Sequence, residues 1–171
     1  MSKYSIRIAG LKEGEHKEIF KLKSGFFDRF EHSEVKRGNF IVKTKLLLRG
    51  VERYLTINIE GDIRNLLCDI CAQELEIKIS TTMNFLIKQS IKEFESTDEI
   101  IYVLQNQHQL SLSQLIYEMI NLTIPKKRIH KTDARGSVKC DNEMLVLLDK
   151  YATNKKAVTD PRLEVLKEIK L

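Results

Sequence analysis

Apolar and polar residues alternate from the start of the chain. Tyr4, Ile6 and Ile8 interleave with Lys3, Ser5 and Arg7, the period of two expected of a half-buried strand. Gly14 to Leu22 is a mixed polar stretch carrying Ile19, Phe20 and Leu22. The run Ser24-Gly25-Phe26-Phe27-Asp28-Arg29-Phe30 then reads as a short helical cap that plants aromatic rings in a core. Phe40 to Leu48 and Tyr54 to Ile59 flank Arg49-Gly50-Val51-Glu52. Their alternation, their β-branched residues and the glycine between them predict an antiparallel hairpin. Gly61-Asp62 reads as a further turn, and Ile63 to Cys71 leads into renewed alternation over Glu74 to Ile79 and Met83 to Ile87. Glu93 to Glu99 is an acidic loop, Ile100 to Leu104 a short strand, and Gln105 to Gln109 a polar connection.

The periodicity then changes. Leu112, Leu115, Ile116, Met119, Ile120 and Leu122 recur at helical spacing, with Ser111 placed as an N-cap and Pro125 just past the end. Residues 131–139, with Gly136, read as a loop. Asn142 to Tyr151 and Asp160 to Leu171 read as two more short helices, the second opened by Pro161 at its first position. The expected class is α+β: a mainly antiparallel β-sheet, or a partly open barrel, in the first two-thirds, with a few short helices toward the C-terminus. One domain over 1–171 is expected, β-rich over 1–104 and helical over 105–171.

Composition narrows the class further. The 171 residues are 42% hydrophobic and 31% charged, enough apolar material for an ordinary core. Met1 to Arg7 interrupts its apolar residues with charge and offers no long apolar segment for export or insertion, so a cytoplasmic protein without membrane contact is expected. Three cysteines in a reducing compartment are then thiols or metal ligands, not a disulfide framework. Lys and Arg number 29 against 24 for Asp and Glu, a formal charge of +5. The excess is polarised. Residues 126–139 carry Lys126, Lys127, Arg128, Lys131, Arg135 and Lys139 against Asp133 alone, whereas Glu93, Glu95, Asp98 and Glu99 gather the opposite sign. Most charge runs are solvated loops. This one follows a proline that ends the best helix, which makes it accessible to phosphates, and cations there would bind a polyanion by counterion release. With no Trp there is little apparatus for stacking bases, so backbone and shape reading is expected.

Candidate chemistry is confined to two segments. Cys68-Asp69-Ile70-Cys71 spaces two thiols as zinc ligands are spaced, and a tetrahedral site would need two further donors, for which Cys140 and His130 are the plausible partners. The separation exceeds that of a compact zinc ribbon, so only tertiary folding could assemble the set. On spacing alone the plainer reading takes precedence: Cys68 and Cys71 as buried thiols packing a strand turn, with no obligatory cofactor. A redox dithiol would want a helix N-terminus in a βαβ context, and strands flank this pair instead. A nucleophile elbow, a phosphate-cradling glycine loop and a zincin helix are all missing, so no enzyme and no small-molecule substrate are expected.

The order of these parts resembles the YceD family, the bacterial large-subunit ribosomal RNA accumulation proteins. The residues that carry the resemblance are Cys68-x-x-Cys71, the acidic stretch ending in Ile100-Ile101-Tyr102, the helix leading to Leu122-Thr123-Ile124-Pro125, then His130, Cys140 and Asp160-Pro161 through Leu166. Ile70, Ala72, Ser111 and Leu163 depart from the pattern, which often has Arg, Leu, Asp and an aromatic there. The cysteine-dense C-terminus of some relatives is also missing. The resemblance implies a non-enzymatic factor supporting synthesis, processing or stability of large-subunit (23S) ribosomal RNA, through that RNA or a large-subunit precursor, with a ribosomal protein as a further partner. The alternative is an adaptor for a ribosomal protein or processing enzyme that never touches RNA. Lys126, Lys127, Arg128, Lys131 and Arg135 are the candidate RNA contacts, with Arg64 and Arg49 as secondary candidates.

Overall fold

A computed structural model describes residues 3–130 and 140–152. Five strands form one open sheet in the order β2 (Gly14–Leu22), β3 (Gly38–Arg49), β4 (Glu52–Leu67), β5 (Glu74–Ser90) and β6 (Ile100–Leu104). The first four are antiparallel neighbours. β6 runs parallel to β5, with Leu86 opposite Ile100, because the acidic loop doubles back along the strand it leaves. A separate two-stranded ladder pairs β1 (Ser5–Arg7) with β7 (Gln109–Ser111). The sheet is open, so the barrel alternative does not hold, and the expected antiparallel α+β architecture does.

Alternation decides which face is buried. Along β3, Phe40, Val42, Thr44, Leu46 and Leu48 point inward, while Asn39, Ile41, Lys43 and Arg49 are exposed. Leu55, Ile57, Ile59 and Ile63 of β4 and Phe85 and Ile87 of β5 complete that face. Over it lie Ile6 of the small ladder and Ile8 just past it, a 3-10 turn (Ser24–Arg29) that delivers Phe26 and Phe27, and α1 (Ser113–Thr123), which buries Ile116, Met119 and Ile120. Aromatic rings knit the layers: Tyr4 meets Phe26 edge-on at 5.1 Å, and Phe30 stacks on Tyr117 at 3.9 Å between centroids.

Three local expectations are corrected. Gly61-Asp62 is not a turn, since β4 continues through both residues in register with Phe40 and Asn39. Glycine is required at position 61 for space: a Cβ there would run into the Asn39 carbonyl oxygen and the Phe40 ring. Ser111 does not cap the helix. It belongs to β7 opposite Ser5, and α1 opens after the fully buried Leu112, whose N–H donates to the Tyr4 carbonyl, so strand pairing and apolar burial prevail over a hydroxyl cap. Gly14 to Leu22, read only as a mixed polar stretch, is a strand because its partner β3 supplies the regular alternation it lacks. The expected helix at 142–151 is present as α2 (Asn142–Tyr151), capped by the Asp141 carboxylate, which accepts from the Glu143 N–H at 2.9 Å. The helix expected over 160–171 and the loop over 131–139 lie outside the described residues. No helix among the described residues is long and apolar enough to cross a membrane.

Candidate metal centre

The β4–β5 connection is a knuckle. Past Leu67 the chain turns through Cys68-Asp69-Ile70-Cys71-Ala72, closed by Ala72 N–H donating to the Cys68 carbonyl and by Cys68 N–H donating to that of Gln73, both at 2.9 Å. Ala72 takes a left-handed φ of 56°, which reverses the backbone so that both thiols point to one side. Beyond α1, Ile124 is extended ahead of Pro125, as a residue before proline prefers, and this sends the chain back across the knuckle. Asp69 N–H donates to the Arg128 carbonyl at 2.7 Å, and Arg128 N–H returns a bond to the Asp69 carboxylate at 2.6 Å. His130 is thereby carried to the thiols, and Cys140 enters from the segment before α2.

These four residues meet. One donor atom from each of Cys68, Cys71, His130 and Cys140 lies within 4.8 Å of the other three, and the cysteines are buried. Cys68 Sγ is 3.7 Å from Cys140 Sγ, and His130 Nδ1 lies 3.4 Å from Cys71 Sγ and 3.7 Å from Cys140 Sγ. Bond lengths for zinc of about 2.3 Å to sulfur and 2.0–2.1 Å to nitrogen put tetrahedral donors roughly 3.5–3.8 Å apart, close to these three separations, and all four donors lie within 4.8 Å of one another. The second shell is consistent. His130 Nε2 lies 3.2 Å from the Glu74 carbonyl, which selects the tautomer that leaves the Nδ1 lone pair facing the sulfurs. Ile70, Met144 and Leu145 shield the cluster as a small core apart from the main one.

Electrostatics separates the thiols. Burial acts to raise the Cys68 thiol, but N–H groups of Cys71, Ile70 and His130 and the Cys71 thiol together bring it down to about 6. Burial, reinforced by the Cys68 and Cys71 thiols, pushes Cys140 up to about 11. Cys68 and Cys140 are thus driven in opposite directions, and a cation placed among the sulfurs would favour their thiolate forms. The plainer expectation, two thiols packing a turn, accounts for their burial but not for the convergence of four donors from three separate segments.

The basic residues divide. Lys126 and Lys127 are exposed. Arg128 is held by Glu34, its Nη1 bonded to one carboxylate oxygen and its Nη2 to the other at 3.0 Å, an arrangement that keeps its guanidinium firmly charged. Lys131 and Arg135 lie outside the described residues. Arg64 pairs with Asp62 at 2.6 Å, and Arg49 is exposed at the end of β3. Sequence reasoning missed Glu34, which lies 94 positions from Arg128 and carries no local signal, and Asp69, whose place inside the thiol motif was the available hint.

A family model described as Large ribosomal RNA subunit accumulation protein YceD matches residues 55–170, a span that holds all four candidate ligands. No curated protein and no solved structure matches the chain.

Proposed function

The chain belongs to the YceD family, whose description ties it to accumulation of large-subunit ribosomal RNA, and from that premise we propose a non-enzymatic, cytoplasmic ribosome-biogenesis factor that contacts the RNA or its precursor directly. The observation that carries this reading is the fixed corner on which Lys126 and Lys127 stand. Reciprocal hydrogen bonds to Asp69, the ion pair of Arg128 with Glu34 and the seat of His130 pin the backbone, while both ammonium groups stay in solvent. Cations on a rigid corner meet a phosphate backbone with little ordering cost. Arg128, occupied by Glu34, positions the corner and leaves the RNA to its neighbours. Lys131 and Arg135 belong to the same proposed surface by sequence.

Zinc is the metal proposed for the Cys68, Cys71, His130 and Cys140 set. Three thiolates and an imidazole in a closed shell of four protein donors suit a structural ion, with no position left for substrate. What the residues do is join the knuckle to the chain after α1 and to α2.

Binding of 23S ribosomal RNA fragments to the full chain, titrated with salt, tests the RNA interaction. Lys126→Ala/Lys127→Ala should weaken binding and reduce the salt slope by about 0.7–0.9 for each phosphate that is no longer neutralised. An unchanged slope would remove these lysines from the interface. A wild-type chain with no RNA affinity that still supports ribosomal RNA accumulation would favour the adaptor reading.

A further inference from the structure

α1 covers the inner face of the sheet incompletely. Between α1 and strands β5 and β6 lies a groove of about 660 Å³, floored by Met83, Phe85, Ile101 and Leu110 and walled on the helix side by Leu115, Met119 and Leu122. Leu122 is 77% exposed, so its apolar side chain stands at the rim in water. Leu115, Glu118 and Leu122 follow the i, i+3, i+7 spacing of one helix stripe, which presents two apolar side chains to the groove with a carboxylate between them.

The opposite wall is Ser96-Thr97-Asp98, and it is built to hold its shape. The Ser96 hydroxyl accepts from Tyr102 N–H and the Thr97 hydroxyl from Ile100 N–H, each at 3.1 Å, while Thr97 N–H donates to the Ile100 carbonyl at 2.8 Å. Asp98, next in the chain, lines the groove beside this wall tied to β6. Across from it Glu118 is steadied by the Gln114 amide at 2.7 Å. Glu99 lines the adjoining hollow over Tyr54 and Leu86. Among the described residues, no Lys or Arg lines either depression. In a chain with net charge +5 this is a local reversal of sign over an apolar floor.

We propose that this groove is a docking site for a cationic amphipathic segment of a partner protein. Apolar residues of that segment seat on Met83, Leu115 and Leu122, and its Lys or Arg residues meet Asp98 and Glu118. The charge selects the occupant: a nucleic-acid backbone is repelled by the same carboxylates, and an acidic or neutral peptide leaves them uncompensated. Helix-in-groove recognition uses such an apolar seam with flanking charges. The groove shares no lining residue with the proposed RNA-binding lysines, so the two functions can fail separately.

The test uses the full chain and a fluorescein-labelled synthetic Leu/Lys peptide of amphipathic helical period, followed by anisotropy at about 0.15 M salt. Asp98→Lys/Glu118→Lys should weaken binding by at least about tenfold, and Leu122→Ser, at an exposed position that leaves the core intact, should weaken it severalfold. A distal reversal, Glu13→Lys/Glu60→Lys, should leave it within about twofold, and a Leu/Glu peptide of the same period should not bind. Equal loss in the distal variant, or indifference to Leu122→Ser, would mean diffuse charge attraction and would overturn the proposal. Ribosomal RNA affinity, measured on the same variants, should be retained.

Discussion

At the scale of single residues, the turn that aims Cys68 and Cys71 depends on Ala72, a non-glycine residue at φ 56°. The left-handed conformation costs an L-residue roughly 1–2 kcal/mol, part of which glycine would recover against its greater unfolded entropy. Ala72→Gly is therefore expected to stabilise the protein by about 0.5–1 kcal/mol without changing the sulfur arrangement, read as a rise in Tm with metal content unchanged. A fall in Tm would mean that the packing of the Ala72 Cβ outweighs its strain. The spacing of Cys68 and Cys71 was legible because two thiols three apart on a turn are a local pattern. Their partnership with His130 and Cys140 was legible only as an elimination among few candidates, since no local rule carries a chain across 59 positions from Cys71 to His130. The Arg128–Glu34 pair was not legible at all, because either residue alone reads as surface charge.

At the scale of elements, β3 and β4 leave no room for a side chain at Gly61, which lies opposite Phe40. The sequence suggested a break at Gly61-Asp62 because glycine followed by aspartate is common in turns. The glycine instead makes room for an aromatic ring from the neighbouring strand inside an unbroken ladder. Gly61→Ala should cost about 1–3 kcal/mol by overpacking against backbone that cannot move aside, seen as a lower urea midpoint at constant m-value. A midpoint equal to wild type would show that the β3 backbone at Asn39 and Phe40 shifts at little cost. The same reasoning applies to β2 and to Ser111: their conformations are imposed by partners β3 and β1, and pairing partners are what a single strand's pattern omits. Where the pattern itself was strong, in the β3–β4 hairpin, the long β5 and the α1 stripe, expectation and structure coincide.

At the scale of the whole molecule, the described residues form two cores. The large one spans the sheet, the β1–β7 ladder and α1, and the small one is the cysteine cluster with Ile70, Met144 and Leu145. α2 buries no residue fully, so its attachment rests on the cluster more than on apolar packing. Purified protein should carry about one zinc per chain. Its removal by chelator should release fast amide exchange in residues 126–130 and in α2 while β3, β4 and β5 stay protected, because the sheet has an apolar core of its own. Uniform loss of protection would show that the metal site and the sheet unfold as one unit, and a metal-free preparation with α2 still protected would remove zinc from the account.

The ligand set also has an order in time. Translation delivers β2 through β6 and both knuckle thiols before His130 and Cys140 leave the ribosome, and domains condense as their segments emerge. The sheet can thus close over its interior with a half-built dithiol corner waiting at its end. Capture of the proposed zinc would then follow synthesis through Cys140, a step that a chain truncated within α1 could not reach.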